Sequence, residues 1–530
     1  MKMKNGFYPM SEAIREAYRR GEEEEGMNPL ILVDINSKPI GRICSGDFVI
    51  FYDIRGEREI ELTQAFTQKG FNKFPVKSDL ETNWVTMIQY HPNLPVKVAF
   101  PPLDKIDMTL SELISRAGMS QVKITEAEKA IHITYFLNGK QEESFPGEER
   151  IIVPSPRDVI NYDQCPGMSC AEVSDKAIET IKTRNDDFIC VNLANIDVVG
   201  HIENRDAIFQ AIETVDRHVG GIVKEAQVAG LFTVLVADHG TVEKWYYPDG
   251  KIDTGHTDSP VPFALIPPVN FEDIRLRVGG GSLIDVAPTV LDLLGIPKPE
   301  SMTGKSLIAS KLPEMRGHRV LLLIMDGWGY NASSEGNLIA SANTKSVDEL
   351  MKKYPWTILD ASGEAVGLPA GTVGNSESGH LHLGCGRIVP SDRIRIAKSI
   401  EDGTFYKNPE FLWAVRGAKE KGTNLHLLGI VSFYSSHGSV EYLYSLMELA
   451  KKEGLDRVFI HSLLGRRGER PESGAYYVRQ IEERSKQMGV GRVVSVIGRY
   501  WALDREHNWN RIERTYNLLT KDDGRHVKFN

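Results

Sequence analysis

The chain is poor in cysteine. Its five residues of that type, Cys44, Cys165, Cys170, Cys190 and Cys385, are odd in number and irregularly spaced over 530 positions. That pattern excludes a disulfide framework and fits free thiols in a reducing compartment. Cys165 and Cys170, the closest pair, are too isolated to read as a zinc site. A basic excess is also missing: 63 Lys and Arg stand against 72 Asp and Glu, a formal net charge of −9. With no positive surplus to displace counterions from a phosphate backbone, a nucleic-acid partner is not expected. No stretch approaches the roughly 20 apolar residues of a membrane span. The N-terminal MKMKNGFYPMSEAIREAYRRGEEEE turns polar where a signal peptide needs an apolar core. The expectation is a cytoplasmic protein without membrane partners. The 41% hydrophobic and 25% charged content excludes a disordered or collagen-like chain. At about 150 residues per domain, the length predicts two to four domains.

Several short apolar runs end in acids and lead into helix-like segments. FICVNLANID reaches Asp197, FTVLVADHG reaches Asp238 and His239, and RVLLLIMDGWG reaches Asp326. Continuous apolar runs of this length suit parallel strands covered on both faces, which predicts an α/β fold. In open α/β sheets the ligand crevice lies beyond the carboxyl ends of the strands. A single Asp-Gly after a strand is usually a turn. Three such ends, one with an adjacent histidine, point to one site assembled from distant sequence. The C-terminal third repeats the alternation with NLHLLGI, DRVFIHS and RVVSVIG, and SVEYLYSLMELAKKEG reads as an amphipathic helix. Here the strand ends lead to His437, Arg467 and Arg499. One unit therefore collects acids and the other bases. Proline-containing connectors at 99–105 and 387–392 are the expected separators.

Asp197 and His201 stand four residues apart in NIDVVGH, a spacing that puts both on one face of a helical turn. Together with Asp238, His239, His256 in DTGHTDSPVPF, and Asp326, they make three carboxylates and three imidazoles, enough for two divalent ions. Mixed oxygen and nitrogen donors without thiolates favour Mn²⁺, Zn²⁺ or a similar first-row ion. In VGNSESGHLHLGCGR, Ser376 lies among glycines that let backbone approach closely. Its hydroxyl is protonated at neutral pH, and a nearby metal ion is one means of activating it.

These segments carry a resemblance. MDGWGY, ASGEAVGLPAGTVGNSESGHLHLGCGR, NIDVVGH, VADHG, DTGHTDSPVPF and GRYWALDREHNW are similar to cofactor-independent phosphoglycerate mutase, of the alkaline phosphatase superfamily. The likeness extends over nearly the whole chain, FPGEERIIVPSP included, but in a different order. The family begins with the MDGWGY strand, whereas here that strand starts near residue 320. The chain thus resembles a circularly permuted member, with the old ends joined around KLPEMRGH. The resemblance implies two α/β domains. One is an alkaline-phosphatase-like α/β/α sandwich over 105–390, which binds the metals. The other, an α/β phosphotransferase domain, is assembled from 1–104 and 391–530.

It further implies one metal held by Asp197, His201 and His256, and a second held by Asp326, Asp238, His239 and the Ser376 oxygen. Mn²⁺ is expected first, with Zn²⁺ or Co²⁺ as alternatives, and bisphosphoglycerate is not required. Ser376 is the implied nucleophile and Lys129 the cation for the phosphoryl group. Arg55, Arg58, His437, Arg467, Arg499 and Arg505 are the implied grip on phosphoglycerate, a task that suits the bidentate guanidinium. The protein is expected to act as a monomer that interconverts 3-phosphoglycerate and 2-phosphoglycerate. One departure matters: where the family reads DGRDTPP this chain has GRRGERP, which puts Gly465 and Gly468 at aspartate positions. A metal-dependent phosphatase, or a mutase for another small phosphorylated substrate, is the alternative expectation. A silent binding protein that keeps only the fold is the third.

Overall fold

The computed structural model describes residues 8–103, 106–157, 159, 161–247, 249–269, 271, 274–309, 317–432, 437–465 and 473–528. Among these, sixteen strands sort into two eight-stranded sheets. Early in the chain come β1 (Leu30–Val33), β2 (Phe48–Phe51), β3 (Asn83–Ile88) and β4 (Lys97–Phe100). The middle supplies β5 (Gln121–Glu126), β6 (Glu148–Val153), β7 (Phe188–Leu193) and β8 (Phe232–Val236). It continues with β9 (Val261–Ile266), β10 (Gly281–Ser282), β11 (Val320–Met325) and β12 (Trp356–Asp360). Last are β13 (Leu425–Ile430), β14 (Val458–Leu464), β15 (Arg492–Gly498) and β16 (Arg525–Lys528).

The sheets belong to two separate units. One comprises residues 103–394 and orders its strands β10-β12-β9-β8-β11-β7-β5-β6, with β9 antiparallel to both neighbours and the remaining pairs parallel. The other joins 1–102 to 395–530 in the order β16-β1-β15-β14-β13-β2-β3-β4. Only the β1–β15 pair in it is antiparallel. Each unit has its own apolar core.

The three acid-tipped runs are β7, β8 and β11. They lie side by side and parallel, Val320 facing both Phe188 and Phe232. Every residue in them is buried, which explains why their sequences run apolar without alternation. Equal register at the start means equal register at the end, so Asp326, Asp238 and the turn that carries Asp197 all leave the sheet at one edge.

The helix Ser376–Cys385 delivers the serine to that edge. Asn375, extended at φ −159, accepts the Ser378 N–H and caps the helix, so Ser376 becomes its first residue. Gly386, at φ +59, ends it. Gly379 permits the docking: a Cβ there would stand 2.5 Å from the Asp238 carbonyl oxygen. Three residues further on, His382 donates Nδ1–H to the Ser378 carbonyl at 2.7 Å and accepts the Val389 N–H on Nε2 at 3.0 Å. The bond accepted on Nε2 requires the neutral ring, and burial pushes its pKa down to about 4.

The unfolded histidine takes up a proton near pH 6.5 and the folded one only near 4, so stability is fully present above 6.5 and falls as pH drops between the two. Urea titrations from pH 7 to 4 should show a loss of up to about 3 kcal/mol from this residue. His382→Gln should flatten that part of the profile. An unchanged slope in the variant would remove His382 as its source.

Candidate metal centre

Asp197 and His201 come from one short element, the helix Asn195–Gly200 that follows β7 at once. The turn after β11 lies directly against it. Gly327 there has φ +81, and a Cβ would meet the Asp197 backbone nitrogen at 2.7 Å. The Asp197 N–H donates to the Asp326 carbonyl at 3.2 Å, and the Gly327 N–H to Asp238 Oδ1 at 3.2 Å. Backbone contacts thus hold the three acids together before any side chain is considered.

The histidines reveal what the acids face. His201 Nδ1 lies 2.7 Å from the Thr254 carbonyl, and His256 Nδ1 3.0 Å from the Gly374 carbonyl. A carbonyl only accepts, so each Nδ1 carries a proton, and in the neutral ring each Nε2 presents a bare lone pair. Those two Nε2 atoms are 3.0 Å apart. They stand 3.4 and 2.9 Å from Asp197 Oδ1, a buried oxygen that accepts no hydrogen bond. Three lone pairs pointed at one another repel unless a cation lies among them.

A second convergence adjoins the first. His239 Nδ1 donates to the Gly240 carbonyl at 3.0 Å, which leaves its Nε2 bare. That nitrogen lies 2.9 Å from Ser376 Oγ, 3.5 Å from Asp238 Oδ2 and 3.6 Å from Asp326 Oδ1. Asp238 Oδ2 is again buried without a hydrogen bond. The orphaned oxygens, the bare nitrogens and the lack of thiolate together fit first-row divalent ions. The three carbonyls behind the rings are the outer partners that fix ligand histidines in one tautomer. Asp197, His201 and His256 could hold one ion, and Asp238, His239, Asp326 and Ser376 a second.

Lys129 joins the two groups. Its buried Nζ lies 2.6 Å from Asp197 Oδ2, 2.6 Å from Asp326 Oδ1 and 2.7 Å from Ser376 Oγ. Burial alone would lower the pKa of this ammonium, but Asp326, Asp197 and Asp238 raise it above the ordinary lysine value. In turn, burial opposes ionisation of Asp197, yet the Lys129 ammonium holds its carboxyl well below the usual range. Asp326 moves the other way, because burial and the charges of Asp238 and Asp197 push it up.

Two members of the centre were not singled out in the sequence. His380, one turn after Ser376, donates Nδ1–H to the Ser376 carbonyl at 2.9 Å and stands 3.2 Å from Asp238 Oδ2. Asn192, the penultimate residue of β7, donates to Asp326 Oδ2 at 2.8 Å and faces His380 Nε2 at 2.9 Å. The four-residue step from Ser376 was the available signal for His380. Asn192, inside an apolar strand, offered none beyond being polar there.

The bases gather in the other unit. Arg58, Arg499 and Arg505 border one cavity of about 170 Å³, together with Arg511, which sequence reasoning passed over. Burial and the neighbouring guanidinium charges of Arg505, Arg55 and Arg499 lower the Arg58 pKa. Arg55 joins this group through Glu57, which accepts from Arg55 Nε at 2.9 Å and from Arg505 Nη1 at 2.7 Å. His437 is buried behind Arg499, its Nε2 3.4 Å from Nη1. Arg467 and Gly468 lie outside the described residues.

An α/β sheet whose strand ends converge carboxylates and bare imidazoles on a serine defines a metal-binding protein with a candidate nucleophile. The chain belongs to the Metalloenzyme superfamily, whose family model matches residues 33–298, half of its length. A second model, described as the BPG-independent PGAM N-terminus, matches residues 396–530. A 2,3-bisphosphoglycerate-independent phosphoglycerate mutase of Thermomicrobium roseum is 42% identical over 304 residues, covering 56% of this chain and 57% of that relative. One from Moorella thermoacetica is 42% identical over 299 residues, 56% of this chain and 57% of its own length. The chain therefore spans about half the length of the curated relatives it matches. No helix among the described residues is long and apolar enough to cross a membrane.

Elemental analysis of the purified chain should return about two first-row divalent ions per molecule. His201→Ala and Asp238→Ala should each lower that figure to about one, since each removes a ligand from a different group. A full complement in both variants would overturn the assignment of ligands.

Proposed function

We propose that the chain interconverts 3-phosphoglycerate and 2-phosphoglycerate through a phosphoserine at Ser376, without bisphosphoglycerate. The observation that carries this reading is the convergence of two bare-lone-pair groups and the Lys129 ammonium on one serine oxygen. Asp197, His201 and His256 would hold one ion and Asp326, Asp238, His239 and Ser376 the other, Mn²⁺ first and Zn²⁺ or Co²⁺ as alternatives. Such ions, when bound, neutralise phosphoryl charge and acidify a hydroxyl.

The chain supplies the rest. Ser376 opens a ten-residue helix, whose dipole favours a phosphate at that end. In the first half-reaction the Ser376 Oγ–P bond forms in line as the substrate's O–P bond breaks. Lys129, 2.7 Å from Oγ, balances the negative charge of the serine oxygen and of the phosphoryl group. In the second, the other glycerate hydroxyl attacks phosphorus, the Oγ–P bond breaks and Ser376 is restored. The guanidiniums of Arg58, Arg499 and Arg505, with Arg55, Arg467 and His437, would serve the acid end of the substrate.

The names of the relatives support this substrate class, and a permuted order has its own support. The family model described as an N-terminus matches the last quarter of this chain, while the MDGWGY strand is β11. On this reading 105–390 is the phosphatase-like domain, and 1–104 with 391–530 the phosphotransferase domain. We also infer a monomer that acts in the cytoplasm, which the five free thiols favour. A metal-dependent phosphatase is the second reading, and the glycine at 465 in place of a carboxylate favours it.

Incubation of the metal-loaded chain with 3-phosphoglycerate, without bisphosphoglycerate, should yield 2-phosphoglycerate, and chelation should abolish the yield. Ser376→Ala should lose about a thousandfold or more in kcat. Inorganic phosphate released without isomerised product would favour the phosphatase, and retained turnover in Ser376→Ala would sink the covalent scheme.

A further inference from the structure

Three buried side chains of the arginine-bearing unit form a cluster, and two of them, Asp53 and Glu59, have no part in the proposed reaction. One ligand atom each of Asp53, Glu59 and His437 lies within 4.8 Å of the others. Asp53 follows β2, Glu59 stands just before the helix Ile60–Thr67, and His437 precedes the helix Val440–Lys452. Backbone N–H groups hold all three: Ile54 N–H donates to the His437 carbonyl at 2.6 Å, Ile430 N–H to Asp53 Oδ1 at 2.8 Å, and Glu59 N–H to the Gly56 carbonyl at 3.1 Å. The Tyr90 hydroxyl donates to the Asp53 carbonyl at 2.8 Å.

The donor set alone would suit a cation, but its surroundings oppose one. Arg499 Nη1 stands 3.4 Å from His437 Nε2, and Arg58 is close enough to feel the charges of Arg499, Arg505 and Arg55. A guanidinium can only donate, so His437 Nε2 is the acceptor and Nδ1 carries the ring proton. That proton faces Glu59 Oε1 at 3.1 Å. Burial and the charge of Glu59 push Asp53 well above the usual carboxylate range. Arg499 is gripped from its other side as well, Nε donating to Glu25 Oε1 at 3.0 Å. It borders the cavity together with Arg58, Arg505 and Arg511, and the acids Glu25, Asp504 and Glu506 line it as well.

We propose that Glu59 and His437 form a buried relay that aims the Arg499 guanidinium into this cavity, which makes Glu59 a positioning residue for the carboxylate of the substrate. The proposal rests on the mutase reading for the identity of that anion. The relay works by geometry: the carboxylate fixes the tautomer and plane of the imidazole, and the imidazole fixes the plane of the guanidinium. A bidentate clamp loses its advantage when its plane turns.

Glu59→Met, which keeps the size but removes the acceptor, should raise the KM for 3-phosphoglycerate about tenfold, the scale seen for outer partners of ligating groups. kcat should fall less than KM rises, and Glu59→Gln, which retains a carbonyl acceptor, should recover most of the loss. Combined with Arg499→Lys, Glu59→Met should add nothing further, because both act on one clamp. Additive effects, or no rescue by Gln, would overturn the relay. In the wild-type chain carrying ¹⁵N-labelled histidine, His437, assigned by its absence in His437→Gln, should be neutral with its proton on Nδ1, and the opposite tautomer would overturn the relay without any folding question. A third metal equivalent that disappears in Glu59→Met would do the same. Failure of the wild type to isomerise 3-phosphoglycerate would end the functional reading instead; the same cycle, read by calorimetry on binding of 3-phosphoglycerate, then decides the relay.

Discussion

The structure turns on a repulsion. Carboxylate oxygens and imidazole nitrogens from four segments of the 103–394 unit crowd one shared space, and Asp197 Oδ1 and Asp238 Oδ2 accept no hydrogen bond there. Such an arrangement survives in a folded chain only when positive charge is supplied. Lys129 supplies part of it, touching both groups and the serine at once. The packing of the unit serves this crowding. Parallel β7, β8 and β11 place the acids at equal height, Gly327 lets the Asp197 helix approach the turn after β11, and Gly379 lets the serine helix approach Asp238.

The carbonyls of Thr254, Gly374 and Gly240 are equally necessary. They decide which nitrogen of each ring is bare, and so convert three ordinary histidines into inward-facing donors. None of these partners is polar in its side chain toward the centre. Their contribution comes from backbone position, which only the folded chain reveals.

Much of the centre could be read in the sequence because chain direction and chemistry coincide there. An apolar run followed by Asp names a strand and its functional end together, and the Asp197–His201 step places two donors on one helical turn. Ser376 stood out through the glycines around it. His380 did not, since a histidine between Gly379 and Leu381 in a helix reads as core. Arg511 was masked by its place in an amphipathic helix with many polar neighbours. The bond between Glu59 and His437 joins residues nearly 400 positions apart. Local pattern carries no information about such pairs, because nothing in either neighbourhood anticipates the other.

The interleaving of the arginine-bearing unit has a consequence for its birth on the ribosome. Leu30 of β1 pairs with Val496 and Arg525, strands made near the end of synthesis. At translation rates of about 5–20 residues per second, the LILV strand waits on the order of half a minute or more for its neighbours. Over that interval the contiguous 103–394 unit can emerge and fold around its own core, while β1 offers two unpaired edges and an apolar face to solvent. Exposed strands of that kind template aggregation. The 103–394 unit is thus free to mature early, and the arginine-bearing unit depends on the last strands and on whatever shields the first one until they arrive.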